Sequence, residues 1–144
     1  MNTQIRNYFK KHTVASICGV DSSGAPFIFS CFYVLQNNQL LFKSNPNSNH
    51  IQCLYQQAKV GGTVIAQNGK ALHFSGAQFE GEFTGAAEEH GIQTSPYYMR
   101  HPVARAIPGV VYAIRVTGVK LSENTLGMIR KHVWTAGVEE QNQL

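Results

Sequence analysis

The chain has 144 residues, enough for one core of ordinary size, so a single domain over residues 1–144 with a flexible tail about 137–144 is expected. Only 14% of residues are charged, and the net charge of +4 comes from a shortage of acids, Asp21 being the single aspartate, rather than from dense Lys/Arg blocks. That balance argues against nucleic-acid binding, and so sparsely charged a surface predicts that part of it is covered by a partner.

Cys18, Cys31 and Cys53 form an odd set without C-x-x-C spacing, which argues against a disulfide framework or structural zinc and fits a reducing cytoplasm. The opening MNTQIRNYFKKH has no apolar core or cleavage site of a secretory signal, and no segment reaches the ~18 apolar residues of a membrane span. A cytoplasmic location is expected.

Ile5, Tyr8, Phe9 and His12 fall at helical spacing opposite Arg6, Lys10 and Lys11, predicting a short helix that caps a barrel end. TVASICGV and FIFSCFYVL, rich in β-branched and aromatic residues, read as two strands joined by the turn DSSGAP. QNNQ is a second turn, QLLFKS a third strand, and NPNS a polar stretch whose Ser48 could cap a helix carrying Ile51, Leu54 and Tyr55. KVGGTVIA and ALHFSGAQFEGEFTGA are strands around the Asn68-Gly69 hairpin signal, and Gly76 suggests a bulge or bend. Residues 86–106 read as broken helix, interrupted by Gly91 and Pro96 and stopped near Pro102. GVVYAIRVTGVKLS is a strand, the segment through Trp134 is open, and EEQNQL reads as frayed. With at least six antiparallel strands and only short helices, a mainly β barrel is the economical way to remove sheet edges.

The segment LLFKSNPNSNHIQCLYQQAKVGGTVI resembles the signature of the pyridoxamine 5′-phosphate oxidase-like superfamily, and QFEGEFTG resembles its following strand. PYYMRHPVARA and NTLGMIRKHVW are closer to its bacterial YhbP-like branch. The resemblance, from about Thr13 to Trp134, implies a six-stranded antiparallel split β-barrel of the FMN-binding type. It also implies a homodimer with flavin mononucleotide in grooves between subunits.

Residue by residue, the resemblance puts Lys43, Ser44 and Ser48 where family members contact the flavin phosphate and ribityl chain. Asn49 and His50 stand where typical members carry an Arg-Lys pair, and Ile28 and Tyr33 lie near places where the oxidases use Arg and Lys. Losing two fixed cations weakens a phosphate grip built on charge-assisted bonds, so the flavin is expected to be held weakly or lost on purification. Lys43, Arg100, Arg105, Arg130 and Lys131 could compensate, as could the helix amides after Ser48. The C-terminal Arg/His signature of the true oxidase is not matched, so that activity is not expected.

Other readings of the same residues stay open. Ser44, Ser48, Asn49 and His50 could be a phosphate cradle or turn and cap residues. Cys31 and Tyr33 could flank an isoalloxazine ring or belong to the core, and Phe32 is read as core. Arg130, Lys131, His132 and Trp134 could close the site from the partner subunit or form a solvated basic tail with one anchoring Trp. His73, His90, His101 and His132 lack metal-ligand spacing and read as surface or satisfied histidines; no metal site is expected. Cys18 and Cys53 read as small buried hydrophobes. Neither G-x-G-x-x-G nor a P-loop is present.

Three functions follow: a flavin-dependent oxidoreductase acting on a small molecule, a binding module for flavin or another planar ligand such as haem or deazaflavin, and a structural dimer with a vestigial site. No catalytic side chain is identified by the sequence, since the cofactor would carry the chemistry.

Overall fold

The computed structural model describes residues 1–66 and 73–137. The Asn68-Gly69 hairpin signal, the first two residues of ALHFSGAQFEGEFTGA and the EEQNQL tail lie outside the described residues.

Helix α1 (Thr3–Lys11) begins where the Asn2 side chain accepts the Ile5 amide at 2.9 Å, and it buries Ile5, Tyr8 and Phe9 as their spacing predicts. Strands β1 (Val14–Val20) and β2 (Pro26–Gln36) form a hairpin whose turn is held by the Asp21 carboxylate, which accepts from the Ser23 and Ala25 amides at 2.9 Å each. Asn37 and Asn38, at φ 49° and 62°, make the tight turn into β3 (Gln39–Ser44). Helix α2 (Asn49–Gln56) leads to β4 (Lys59–Ile65) and β5 (His73–Ala86). The broken-helix region consists of a 3-10 turn (Ala87–His90), helix α3 (Ser95–Arg100) and a second 3-10 turn (Pro102–Ala106). Strand β6 (Val110–Thr125) and strand β7 (Met128–Thr135) complete the described chain.

The sheet runs β3-β2-β1-β4-β5-β6-β7, and β3 also pairs with β6. Six strands thus close the expected antiparallel ring. β7, the segment the sequence left open, is an added edge strand outside it. β6 changes partner along its length, pairing with β3 through Val110–Arg115 and with β7 through Gly118–Thr125. Alternation puts Ile17, Tyr33, Leu40, Phe42, Val64, Ile114 and Leu121 inside, all 1% exposed or less.

Three expectations are corrected. The bend of β5 is not at Gly76, which pairs in regular register with Ile65 and Ser122; the irregularities fall at Glu80/Gly81 and Phe83/Gly85. Gly81 is the position without room, since a Cβ there would meet the Arg115 carbonyl oxygen and Ile114 Cγ2 at 2.7 Å each. Pro96 does not interrupt helix but sits in the first turn of α3, where its missing N–H costs no bond. Phe32 and Cys18 are exposed, not buried. Both point to the outer side of β1–β2, where Val14 faces Phe32, Ser16 faces Ser30 and Cys18 faces Ile28 across the hairpin. Ile28 is 73% exposed and Phe32 59%, so two apolar patches lie on the outside of the barrel, separated by the Ser16–Ser30 hydroxyl pair, 3.1 Å apart.

Candidate functional site

Strands β2 and β3 are paired only from Tyr33 to Gln36; before that β2 pairs with β1 alone, while Lys43 and Ser44 pair with β6. The barrel wall is therefore split at this point. A cleft of about 760 Å³ opens in the gap, within the range of small-molecule sites. One wall is Ser30, Cys31 and Phe32, another is Lys43, Ser44 and Asn45, and the segment after α3 supplies His101, Val103 and Ile107. Gly109 lets that segment lie close to β3: a Cβ there would be 2.9 Å from the Ser44 carbonyl oxygen, and its φ of 151° disfavours other residues.

Lys43 brings the cation, with Nζ donating to the Ala104 carbonyl at 2.8 Å and standing 4.9 Å from the centre of the Tyr98 ring. Arg105 meets the same ring at 4.8 Å, so two cations converge on Tyr98, of which Lys43 lines the cleft. Burial pushes the Cys31 thiol up to about 12, which keeps it protonated at neutral pH.

At the start of α2, Ser44 Oγ and His50 Nε2 are 2.8 Å apart, and Ser48 Oγ lies 3.4 Å from each of them. Ser48 occupies the N-cap position, yet its hydroxyl donates to the Asn45 carbonyl at 2.8 Å rather than capping the helix. The cap reading of Ser48 is corrected accordingly. Burial lowers the His50 pKa, so this cluster is neutral at pH 7, and the first amides of α2 have no side-chain acceptor. Asn49 is exposed.

The remaining residues singled out in the sequence are elsewhere in the subunit. Tyr33 is 1% exposed, with its hydroxyl donated to the Phe9 carbonyl at 2.7 Å; it is a core residue because alternation turns it inward. Arg130, Lys131 and Trp134 sit on β7, opposite Glu123, Ser122 and Val119 of β6, and none lines the cleft. The tail reading fails for this segment, which is a strand. Trp134 is 6% exposed, and among the described residues its Nε1 has no hydrogen-bond partner.

The chain is 31% identical over 143 residues to UPF0306 protein YhbP of Escherichia fergusonii, covering 96% of this chain and 97% of that protein. It belongs to the YhbP family. YhbP of Escherichia coli O7:K1 matches this family member to the same extent, 31% over 143 residues. No family model matches the chain. Among solved structures, HutZ, the haem storage protein of Vibrio cholerae, superimposes with a TM-score of 0.68 at 10% identity over 87% of this chain and 96% of HutZ. An FAD-binding protein of Mesorhizobium loti gives 0.68 at 13% identity over the same shares. These likenesses establish the split-barrel fold for this YhbP-family chain. Among the described residues no helix is long and apolar enough to cross a membrane.

His101, Val103 and Ile107 were missed as site residues. They follow a helix that the sequence marks, but nothing in HPVARAI indicates that this stretch folds back over β2 and β3.

Proposed function

We propose that the protein is a homodimeric flavin-binding protein that holds flavin mononucleotide in the split between β2 and β3 and acts as an oxidoreductase on a small molecule. The observation that carries this reading is the cleft itself: apolar walls from Phe32, Val103 and Ile107 beside Lys43 and Ser44, with Ser44 Oγ 3.4 Å from Ser48 Oγ at the uncapped start of α2. Such walls fit a flat ring, and the hydroxyls and free amides fit a polyhydroxylated chain ending in phosphate. Bound flavin would supply hydride or electron transfer. Cys31 and Phe32 would flank the ring, Ser44 and Ser48 would orient the chain, and Lys43 with Arg105 would offset the phosphate charge.

The exposed apolar side chains of Val14, Ile28 and Phe32 support a second copy lying across this face, which borders the cleft at Phe32. In the dimer, the exposed Arg130 and Lys131 of the partner subunit would add cations to the site, while Trp134, buried in the core of its own subunit, would anchor the strand that carries them.

Likeness to HutZ favours haem as the rival ligand, but the donors here suit iron poorly. Cys31 keeps its proton, His50 Nε2 is engaged by Ser44, and His101 Nε2 is 2.8 Å from the Tyr33 carbonyl.

The test is the visible spectrum of the protein before and after incubation with excess flavin mononucleotide and gel filtration. Co-elution of a flavin spectrum at dimer size is expected. A colourless protein after loading would overturn the reading.

A further inference from the structure

His101 joins the cleft to the barrel wall. Its ring lies 5.5 Å from Phe32 and 5.0 Å from Tyr97, and its Nε2 is 2.8 Å from the Tyr33 carbonyl oxygen. A carbonyl only accepts, so Nε2 carries a proton, and in that tautomer Nδ1 is the nitrogen with the lone pair. Nδ1 has no hydrogen-bond partner among the described residues.

The other polar side chains of the cleft have different roles. Lys43 is a donor, the Cys31 thiol is protonated, Asn45 Oδ1 already accepts the Asn47 amide at 2.8 Å, and the Ser30 and Ser44 hydroxyls are shared with Ser16 and His50. His101 Nδ1 is thus an acceptor in the cleft lining without a partner among the described residues, whereas Asn45 Oδ1 and the serine hydroxyls already hold one.

We infer that His101 is the specificity residue of this cleft, accepting a hydrogen bond from a ring N–H of the ligand. The inference rests on the flavin reading and sharpens it. The pyrimidine end of a flavin or deazaflavin presents an imide N–H between two carbonyls, whereas a metallated haem has no N–H to offer. A buried acceptor left without a donor is penalised, so the residue discriminates as well as binds.

The experiment compares flavin mononucleotide with its N3-methyl analogue by flavin fluorescence titration of wild-type protein and of H101F, which keeps an aromatic ring against Phe32 and Tyr97. Wild type should bind the N3-methyl analogue about tenfold more weakly. H101F should bind both about equally. If wild type binds both flavins alike, or H101F still discriminates, the role of His101 is wrong while the flavin reading stands. If wild type binds neither flavin, the flavin reading itself fails and takes this inference with it. If H101F folds poorly by circular dichroism, H101M, which also lacks the acceptor, takes its place, and discrimination retained in H101M would equally overturn the role of His101.

Discussion

The imidazole of His50 lies flat on the ring of Phe29, 4.1 Å between centroids and 17° between planes. The stack aims Nε2 at Ser44 and removes the ring from water, which lowers the His50 pKa. A histidine whose folded pKa is depressed contributes stability above its unfolded value, about 6.5, and that contribution is lost as pH falls through the folded pKa. Urea midpoints should therefore drop between pH 7 and pH 5 more in wild type than in H50F, which keeps the stack without the titration. Equal drops would show that His50 is not the group responsible.

Phosphate beside the same ring would favour its charged form, so flavin mononucleotide should bind more tightly as pH falls toward the histidine range. H50K should tighten binding several-fold at pH 8 and flatten the pH profile. An unchanged affinity in H50K would remove His50 from the phosphate site.

Ile28, 73% exposed and paired with Cys18 on the outer face, should be covered by the second copy. Burying an unpaired ammonium there is costly, so I28K should sediment as a monomer at concentrations where wild type is a dimer, with its circular dichroism unchanged. A dimeric I28K would place the interface elsewhere.

Gly81→Ala should cost about 1–3 kcal/mol, because the added methyl meets backbone at 2.7 Å inside the β5 irregularity. Gly76→Ala, whose Cβ would meet Phe74 at an ordinary 3.6 Å, should change stability by less than about 1 kcal/mol. Urea unfolding of the two variants measures the contrast, and equal effects would contradict the assigned position of the bend.

In the monomeric I28K variant, whose outer face is open, iodoacetamide should modify exposed Cys18 well before Cys31, whose thiol is pushed up to about 12 by burial. Peptide mass spectrometry over a time course reads the order directly. Preferential alkylation of Cys31 would contradict its protonated, desolvated state.

Much of the architecture was legible in local pattern. Alternation in FIFSCFYVL, the paired asparagines at Asn37–Asn38, the spacing of Ile5, Tyr8 and Phe9 and the break at Gly91 each reflect short-range stereochemistry, and a ring of six antiparallel strands follows from having many strands and few helices to cover their edges. Lys43, Ser44, Ser48 and His50 lie within eight residues, so their clustering also needed only a strand, a turn and a helix. Tertiary structure alone decided which of two alternating faces met water, exposing Phe32 and burying Tyr33, because alternation fixes that neighbours differ but not which one faces the core. It also decided that His101, 68 residues from Tyr33 in sequence, binds that residue's carbonyl across the split, and that β6 exchanges β3 for β7 along its length. Those contacts arise from closure of the sheet on itself, which brings distant segments together through hydrogen bonds that no local spacing encodes.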